Sequence, residues 1–377
     1  LTNSLLSYFG LILLILLGGG IAYLLDLRRW ANLLLVVLYL MRVSLPHFDL
    51  PQNINNLLLI SLAILILLLF YFGRNNRKVS LIGSLATGAT GFFISMVPDK
   101  MTLLDRFDNE KPLECPKDLV YAEVKFKQTR LELYHHKDSL KKSLLYVVHG
   151  GGHVKPITNL YRKLCHRYAR LFPDSLVACV DPRSAADHPY PAPLDDVVDG
   201  YQYLLSNGFN PESTVLLADS AGGNMALALC HRLKAMGQAL PKAEVMLSPQ
   251  SDMTQSGKSY ITRYHLDPIL GNMADLAEPG KTLPVFYGKG EDLSNPFISP
   301  LLGELSGFPD TLIQVGECEI LYDDSFQLYE KMKDSGVKVE FKEFPGMIHG
   351  FQISFSSIVP EVRRANSEIK AFLANYL

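Results

Sequence analysis

Hydrophobic and polar positions divide this chain of 377 residues in two. Over the first hundred positions the apolar residues are gathered into long uncharged runs. Beyond them, apolar and polar residues alternate at the short periods of a folded globule. Residues 5–25 carry no charge, and about twenty residues at about 1.5 Å each cross a bilayer core of about 30 Å. Residues 30–45 are a shorter apolar stretch containing Arg42, suited to a second span, a re-entrant piece or an interfacial helix. Residues 57–72 are a clearer span, ending in Phe70, Tyr71 and Phe72 and followed at once by Arg74, Arg77 and Lys78, the flanks that a membrane interface favours. Residues 79–97 are uncharged but rich in Gly, Ser and Thr, and read either as a fourth span or as a helix over an active-site mouth. A cleaved signal peptide competes for the first run, but its length, its Gly18-Gly19-Gly20 interior and the later apolar segments argue against it. The pattern predicts a membrane region over residues 1–99, with two to four apolar segments, and a globular domain over residues 100–377.

Within that domain, residues 119–127 alternate as a half-exposed strand does, while residues 143–148 are continuously apolar. Further strand-like runs fall at 176–180, 214–218, 244–247, 311–315 and 338–344. Helix-like segments fall between most of them, near 160–172, 194–207, 221–236 and 323–335. Strands alternating with helices predict an α/β fold, with a mainly parallel sheet covered on both faces. Residues 251–294, irregular and rich in Gly and Pro, break the rhythm and read as a cap or lid insertion.

Charge and cysteine narrow the chemistry. The net charge of −2 divides into +4 over residues 1–100 and −6 over the rest, so the globular part offers no basic surface for nucleic acid. The positive excess lies around the apolar runs, where it signals topology. With three spans, Arg28, Arg29, Arg74, Arg77 and Lys78 share one side and the C-terminal domain is cytosolic; a fourth span reverses this. The five cysteines, Cys115, Cys165, Cys179, Cys230 and Cys318, form no C-x-x-C pair. They read as free thiols or, alternatively, as including one disulfide, with no metal site expected.

Ala218-Asp219-Ser220-Ala221-Gly222-Gly223 links an apolar strand to a helix with small residues, the setting of a serine held on a tight, exposed turn. Ala218 stands where such turns usually have Gly. His149-Gly150-Gly151-Gly152 follows an apolar strand about seventy residues earlier. Successive glycines present backbone N–H groups without side chains in the way, which an oxyanion requires. A phosphate-binding loop is the competing reading, but no Lys-Ser/Thr follows. His349 lies in a short Pro/Gly loop after the last strong strand and is the candidate base. Glu319, just beyond the strand at 311–315, is the candidate acid, with Asp323 and Asp324 as fallbacks or as ordinary charges of a helix N-terminus.

From about Lys100 onward the chain resembles the hormone-sensitive-lipase family of α/β-hydrolases, which includes arylacetamide deacetylases and fungal steryl acetyl hydrolases. The glycine run and the serine turn carry part of the likeness. The stretch from Asp181-Pro182-Arg183-Ser184 through Asp187-His188-Pro189-Tyr190-Pro191-Ala192 is similar to the family's Y-R-L-A-P-E-H-x-x-P-A, and Asn295-Pro296-Phe297-Ile298-Ser299-Pro300-Leu301 is similar to its D-P-x-x-S-P-L. Gly316-Glu317-Cys318-Glu319-Ile320-Leu321-Tyr322-Asp323-Asp324 fits G-x-x-D-x-L-x-D-E, placing Glu319 at the acid position. The departures are Ala218 for Gly, Glu319 for the commoner Asp, and Pro182 and Ser184 in the Y-R-L stretch. The resemblance implies a Ser220–His349–Glu319 triad and an oxyanion hole from the N–H groups of Gly151, Gly152 and Ala221, supported by His149 and Gly150. Arg183, Asp187 and His188 read as scaffold.

The expected activity is hydrolysis of apolar acyl esters, sterol or neutral-lipid acetates among them, through an acyl-enzyme and without cofactor. The expected partners are membrane lipids and the ester substrate, and the expected location is the endoplasmic reticulum or a related internal membrane. Two alternatives remain open at this level: a catalytically silent hydrolase-fold subunit of a membrane assembly, and a lipid or hormone receptor on the same fold. Receptor variants of the fold usually lose the His, which is present here as His349.

Overall fold

The computed structural model describes residues 112–271, 283, 285–354 and 359–377. The predicted membrane region, residues 1–99, lies outside them, as do residues 272–282 and 284 of the predicted cap. No helix among the described residues is long and apolar enough to cross a membrane.

Eight strands form one sheet: β1 (Leu119–Phe126), β2 (Thr129–His136), β3 (Ser143–Val148), β4 (Ser175–Asp181), β5 (Thr214–Asp219), β6 (Ala243–Leu247), β7 (Asp310–Gly316) and β8 (Val339–Phe344). Their order is β1-β2-β4-β3-β5-β6-β7-β8. β2 pairs antiparallel with β1 and β4, and every other pairing is parallel. The helices are α1 (Asn159–Leu171), α2 (Ala192–Ser206), α3 (Ser220–Ala235), the short α4 (Ser259–Thr262), α5 (Tyr322–Asp334), the short α6 (Phe351–Ser354) and α7 (Pro360–Leu373). The mainly parallel α/β architecture is the one predicted.

The continuous apolar runs are explained by burial on both faces. In β3, Leu144, Tyr146 and Val148 join one core with residues of α2, α3 and α5, while Leu145 and Val147 join a second core with residues of α1 and α7. β5 divides the same way, Leu216 and Ala218 to the first core, Val215 and Leu217 to the second. A central strand with no solvent face cannot show polar alternation.

Two elements exceed the sequence expectation. β2 reads as polar because Glu132 lies in its middle, yet Glu132 is 1% exposed. Its carboxylate accepts from Arg162 Nη2 at 2.7 Å, Arg130 Nη1 at 3.2 Å and Tyr134 Oη at 2.5 Å. The β1–β2 hairpin turns at Lys127, which takes φ +54° where Asn-Gly would have announced the turn. α7 carries its signal openly: Pro360 in its first turn, and Val362, Ala365, Ile369, Phe372 and Leu373 on its buried side.

Candidate active site

Ser220 ends the β5 connection and opens α3 with φ +52°, a left-handed conformation costly for a residue with a Cβ. The turn drives the start of α3 against the carboxyl end of β3. A Cβ on Gly222 would lie 2.1 Å from the Val148 carbonyl oxygen, and one on Gly223 would lie 2.6 Å from Pro249 Cβ. Only glycine fits at either position. Ala218, in the place usually held by Gly, pairs with Val148 and Met246 inside the sheet, and its methyl joins the first core.

His349 Nε2 lies 3.0 Å from Ser220 Oγ, and His349 Nδ1 lies 2.9 Å from Glu319 Oε2. A carboxylate can only accept, so Nδ1 bears the proton and Nε2 is free to accept from the serine hydroxyl. Glu319 is fully buried. Its Oε1 accepts from Ser248 Oγ at 2.7 Å and from the Gly316 N–H at 2.5 Å, which fixes the carboxylate that holds the ring. The acid and histidine loops are tied together: Cys318 N donates to Met347 O at 2.9 Å, Glu317 N to Phe344 O at 3.0 Å, and Gly346 N to Glu317 Oε2 at 2.9 Å. Burial draws the basicity of His349 down. The Glu319 carboxylate outweighs it, with Asp267 and Asp219 adding to it, and the ring's pKa is raised above the ordinary histidine value.

The glycine run lies alongside, since Val148 and Ala218 are paired across β3 and β5. Gly151 and Gly152 take φ +120° and +64°, backbone that glycine adopts without penalty. Gly150 is committed elsewhere: its N–H donates to Asp219 Oδ1 at 2.9 Å, and Tyr161 Oη donates to Asp219 Oδ2 at 2.8 Å. Asp219 therefore binds the glycine loop to the residue before the serine. His149 Nδ1 donates to Gly150 O at 2.7 Å, and its Nε2 lies 3.5 Å from Asp181 Oδ1. Burial works against the charged ring, but Asp181 prevails and the His149 pKa is raised. Asp181 is held near 2: burial pushes it up, and His149 and Arg130 more than reverse that. Ala221, directly after the serine, is buried at the start of α3.

The fallback acids serve the scaffold. Asp323 Oδ2 accepts from Ser259 N at 2.9 Å, and Asp324 Oδ2 accepts from Asp252 N at 2.9 Å. Arg183 clamps Asp196, with Nε 2.8 Å from Oδ2 and Nη2 2.9 Å from Oδ1, while Asp187 and His188 are exposed. The segment at 295–301 is anchored by Asn224 Nδ2, which donates to Ile298 O at 2.8 Å and to Gln250 O at 2.9 Å. The roles of Asp219, Ser248 and Tyr161 went unread in the sequence. Asp219 alone had a signal there, an acid flanking the candidate serine.

Hydroxyl, imidazole and carboxylate in line, beside backbone N–H groups on glycines, form an arrangement suited to acyl transfer. Comparison with known proteins agrees. Residues 145–353, more than half of the chain, match the family described as alpha/beta hydrolase fold. An esterase of Acinetobacter venetianus is 35% identical over 229 residues, covering 61% of this chain and 74% of that protein. An acetyl-hydrolase of Streptomyces hygroscopicus is 34% identical over 232 residues, covering 62% and 75%. Among solved structures, an esterase from the bacterial hormone-sensitive lipase family superposes with a TM-score of 0.66 at 27% identity, covering 80% of this chain and 99% of that one. With the family match spanning β4 to β8, the serine turn and the histidine loop, the chain belongs to the alpha/beta hydrolase fold family, in the company of hormone-sensitive-lipase-type esterases, and is a carboxylic ester hydrolase.

Proposed function

We propose that the chain is a membrane-anchored serine esterase that cleaves apolar acyl esters, acetates of sterols or other neutral lipids among them, through an acyl-enzyme. Ser220 Oγ attacks the ester carbonyl as His349 Nε2 takes its proton, and Glu319 stabilises the imidazolium that forms. The oxyanion is met by the N–H groups of Gly151, Gly152 and Ala221, each worth roughly 3–4 kcal/mol by analogy with other hydrolases. Collapse breaks the ester C–O bond, and His349 returns the proton to the departing alcohol. Water then attacks the acyl-serine by the same route and frees the acid. This chemistry needs no metal or organic cofactor.

The observation that carries the reading is the line from Ser220 Oγ through His349 to Glu319, at 3.0 and 2.9 Å. The acetyl-hydrolase relative supports a short acyl group. The uncharged runs in residues 1–99 support an anchor that keeps the enzyme beside esters dissolved in the bilayer, with an internal membrane such as the endoplasmic reticulum as its place and the catalytic domain on the cytosolic side. Residues 251–294 act as the cap.

The full-length chain should react with a serine-directed fluorophosphonate and hydrolyse aryl acetates and sterol acetates. Ser220→Ala should lose both activities, with turnover down by roughly 10⁴-fold or more. Equal labelling and turnover in wild type and Ser220→Ala would end the triad reading. Turnover of aryl acetates with none of any lipid acetate would end the substrate assignment alone.

A further inference from the structure

Behind Glu319 lies a carboxylate that the acyl-transfer scheme leaves unused. Asp267, in the stretch between β6 and β7, is 1% exposed. Its Oδ1 accepts from the N–H groups of Ile269 at 2.9 Å and Leu270 at 3.0 Å. Its Oδ2 accepts at 3.0 Å from the N–H of Ile320, the residue directly after Glu319. The Ile320 carbonyl is held from the same stretch, accepting from Ser259 Oγ at 2.7 Å. Tyr260, Leu283, Ile320 and Leu321 then form a small apolar cluster of their own, with Leu270 packed against it. Residues 259–271 therefore hold Ile320, the neighbour of the candidate acid, by both its N–H and its carbonyl. The turn closing this grip is specific, because a Cβ on Gly271 would lie 1.8 Å from the Tyr264 carbonyl oxygen.

A buried carboxylate is expensive unless a cation or several N–H groups compensate it. No cationic side chain among the described residues forms an ion pair with Asp267. Asp267 acts on Cys318, on the loop after β7, together with Glu317, Glu319 and Arg263. Arg263 spends its guanidinium on the Tyr322 ring, 3.6 Å from the centroid. His349 feels three acids, Glu319 first and then Asp267 and Asp219. Backbone N–H groups satisfy Asp267 sterically without cancelling its field, which then reaches the imidazole.

We propose that Asp267 is a positioning residue for the ester hydrolysis: it holds the Glu319 loop through Ile320 and, as a second buried carboxylate, supports the charged form of His349 from the cap side. The inference rests on the triad reading given above. It also makes the state of the triad depend on the seating of residues 259–271, because the groups that hold the segment down are the groups that hold the acid.

The test is the pH dependence of kcat/KM for a soluble aryl acetate, which reports the free enzyme's base. It uses the full-length chain and its Asp267→Asn and Asp267→Ser variants. Asn keeps the size and one acceptor oxygen; Ser keeps an acceptor in a smaller side chain, should Asn be poorly tolerated. His349 must be neutral to accept the serine proton, so activity falls as pH drops through its pKa. Removing a nearby negative charge lowers that pKa and moves the acid limb to lower pH, by about half a unit or more. The plateau rate should fall about tenfold, because the imidazolium of the transition state is less well supported. KM should change little. A reduced plateau with the acid limb unmoved in both variants would overturn the proposal, leaving Asp267 as scaffold. Full activity in Ser220→Ala would instead remove the triad on which the inference stands.

Discussion

Asp219 shows how much of the site depends on residues that never meet the substrate. Its two oxygens accept from the Gly150 N–H and the Tyr161 hydroxyl, so one side chain joins the serine turn, the glycine loop and α1. Burial pushes its pKa up, against the pull of Tyr161, Gly150 and His149. Asp219→Ala strands both donors, at about 1–3 kcal/mol each, and leaves Gly151 and Gly152 without their reference point. We expect kcat to fall by roughly 10- to 100-fold with KM nearly unchanged. Asp219→Asn should recover most of this loss, because the Tyr161 hydroxyl can turn to accept from the amide while the remaining oxygen keeps Gly150. Steady-state kinetics of the two variants decide it, and equal rates in Ala and Asn would refute the account. Ser220, Glu319 and His349 were legible in the sequence because each stands in a short loop directly after an apolar run, among residues that only a tight turn would select. Ser248, Tyr161 and Asp267 were not. Their roles come from partners 71, 58 and 53 positions away, and nothing local marks them.

At the level of the element, the start of α3 lies close against the end of β3. A helical glycine changed to alanine ordinarily gains up to about 1 kcal/mol. At Gly222 the added methyl would meet the Val148 and His149 carbonyl groups at 2.1 to 2.6 Å, backbone that cannot withdraw without opening the β3–β5 pairing. Gly222→Ala should therefore lower the thermal midpoint by several degrees and cost activity as well. An unchanged midpoint, measured by circular dichroism, would show that the helix can ride outward. The same reasoning explains the elements that the pattern missed. β2 hides its strand character because its central Glu132 is neutralised by arginines from its own strand and from α1, and a buried ion pair looks like a surface from the sequence. The hairpin before it turns on a lysine at positive φ, for which composition offers no cue.

Across the whole molecule, the sheet carries, besides Glu132, a further buried acid outside the site. Glu244 on β6 is fully buried; desolvation lifts its pKa to about 8, against the hydrogen bonds of Thr311 and Cys230. Thr311 Oγ1 lies 2.8 Å from the Pro309 carbonyl and 3.0 Å from Glu244 Oε1. A single hydroxyl hydrogen cannot serve both acceptors, and a protonated Glu244 donating to Thr311 satisfies all three groups. Because the folded pKa lies above the unfolded one, this stabilising contribution is complete below about pH 4.5 and is lost as pH rises through about 8. Between those values it costs on the order of 1 kcal/mol per pH unit. Glu244→Gln removes that slope, so urea unfolding should find the variant gaining on wild type as pH climbs from 5 to about 8. Parallel stability curves for the two would contradict this.

The sheet order has a last consequence. The oxyanion glycines follow β3, the nucleophile follows β5, the acid follows β7 and the base follows β8, so the four contributions leave the ribosome one after another and meet only when the final strand has docked. A nascent or clipped polypeptide lacking that strand possesses a hydroxyl without its proton acceptor. Newly made chains thus emerge inert toward esters, and reactivity is switched on by completion of the fold itself.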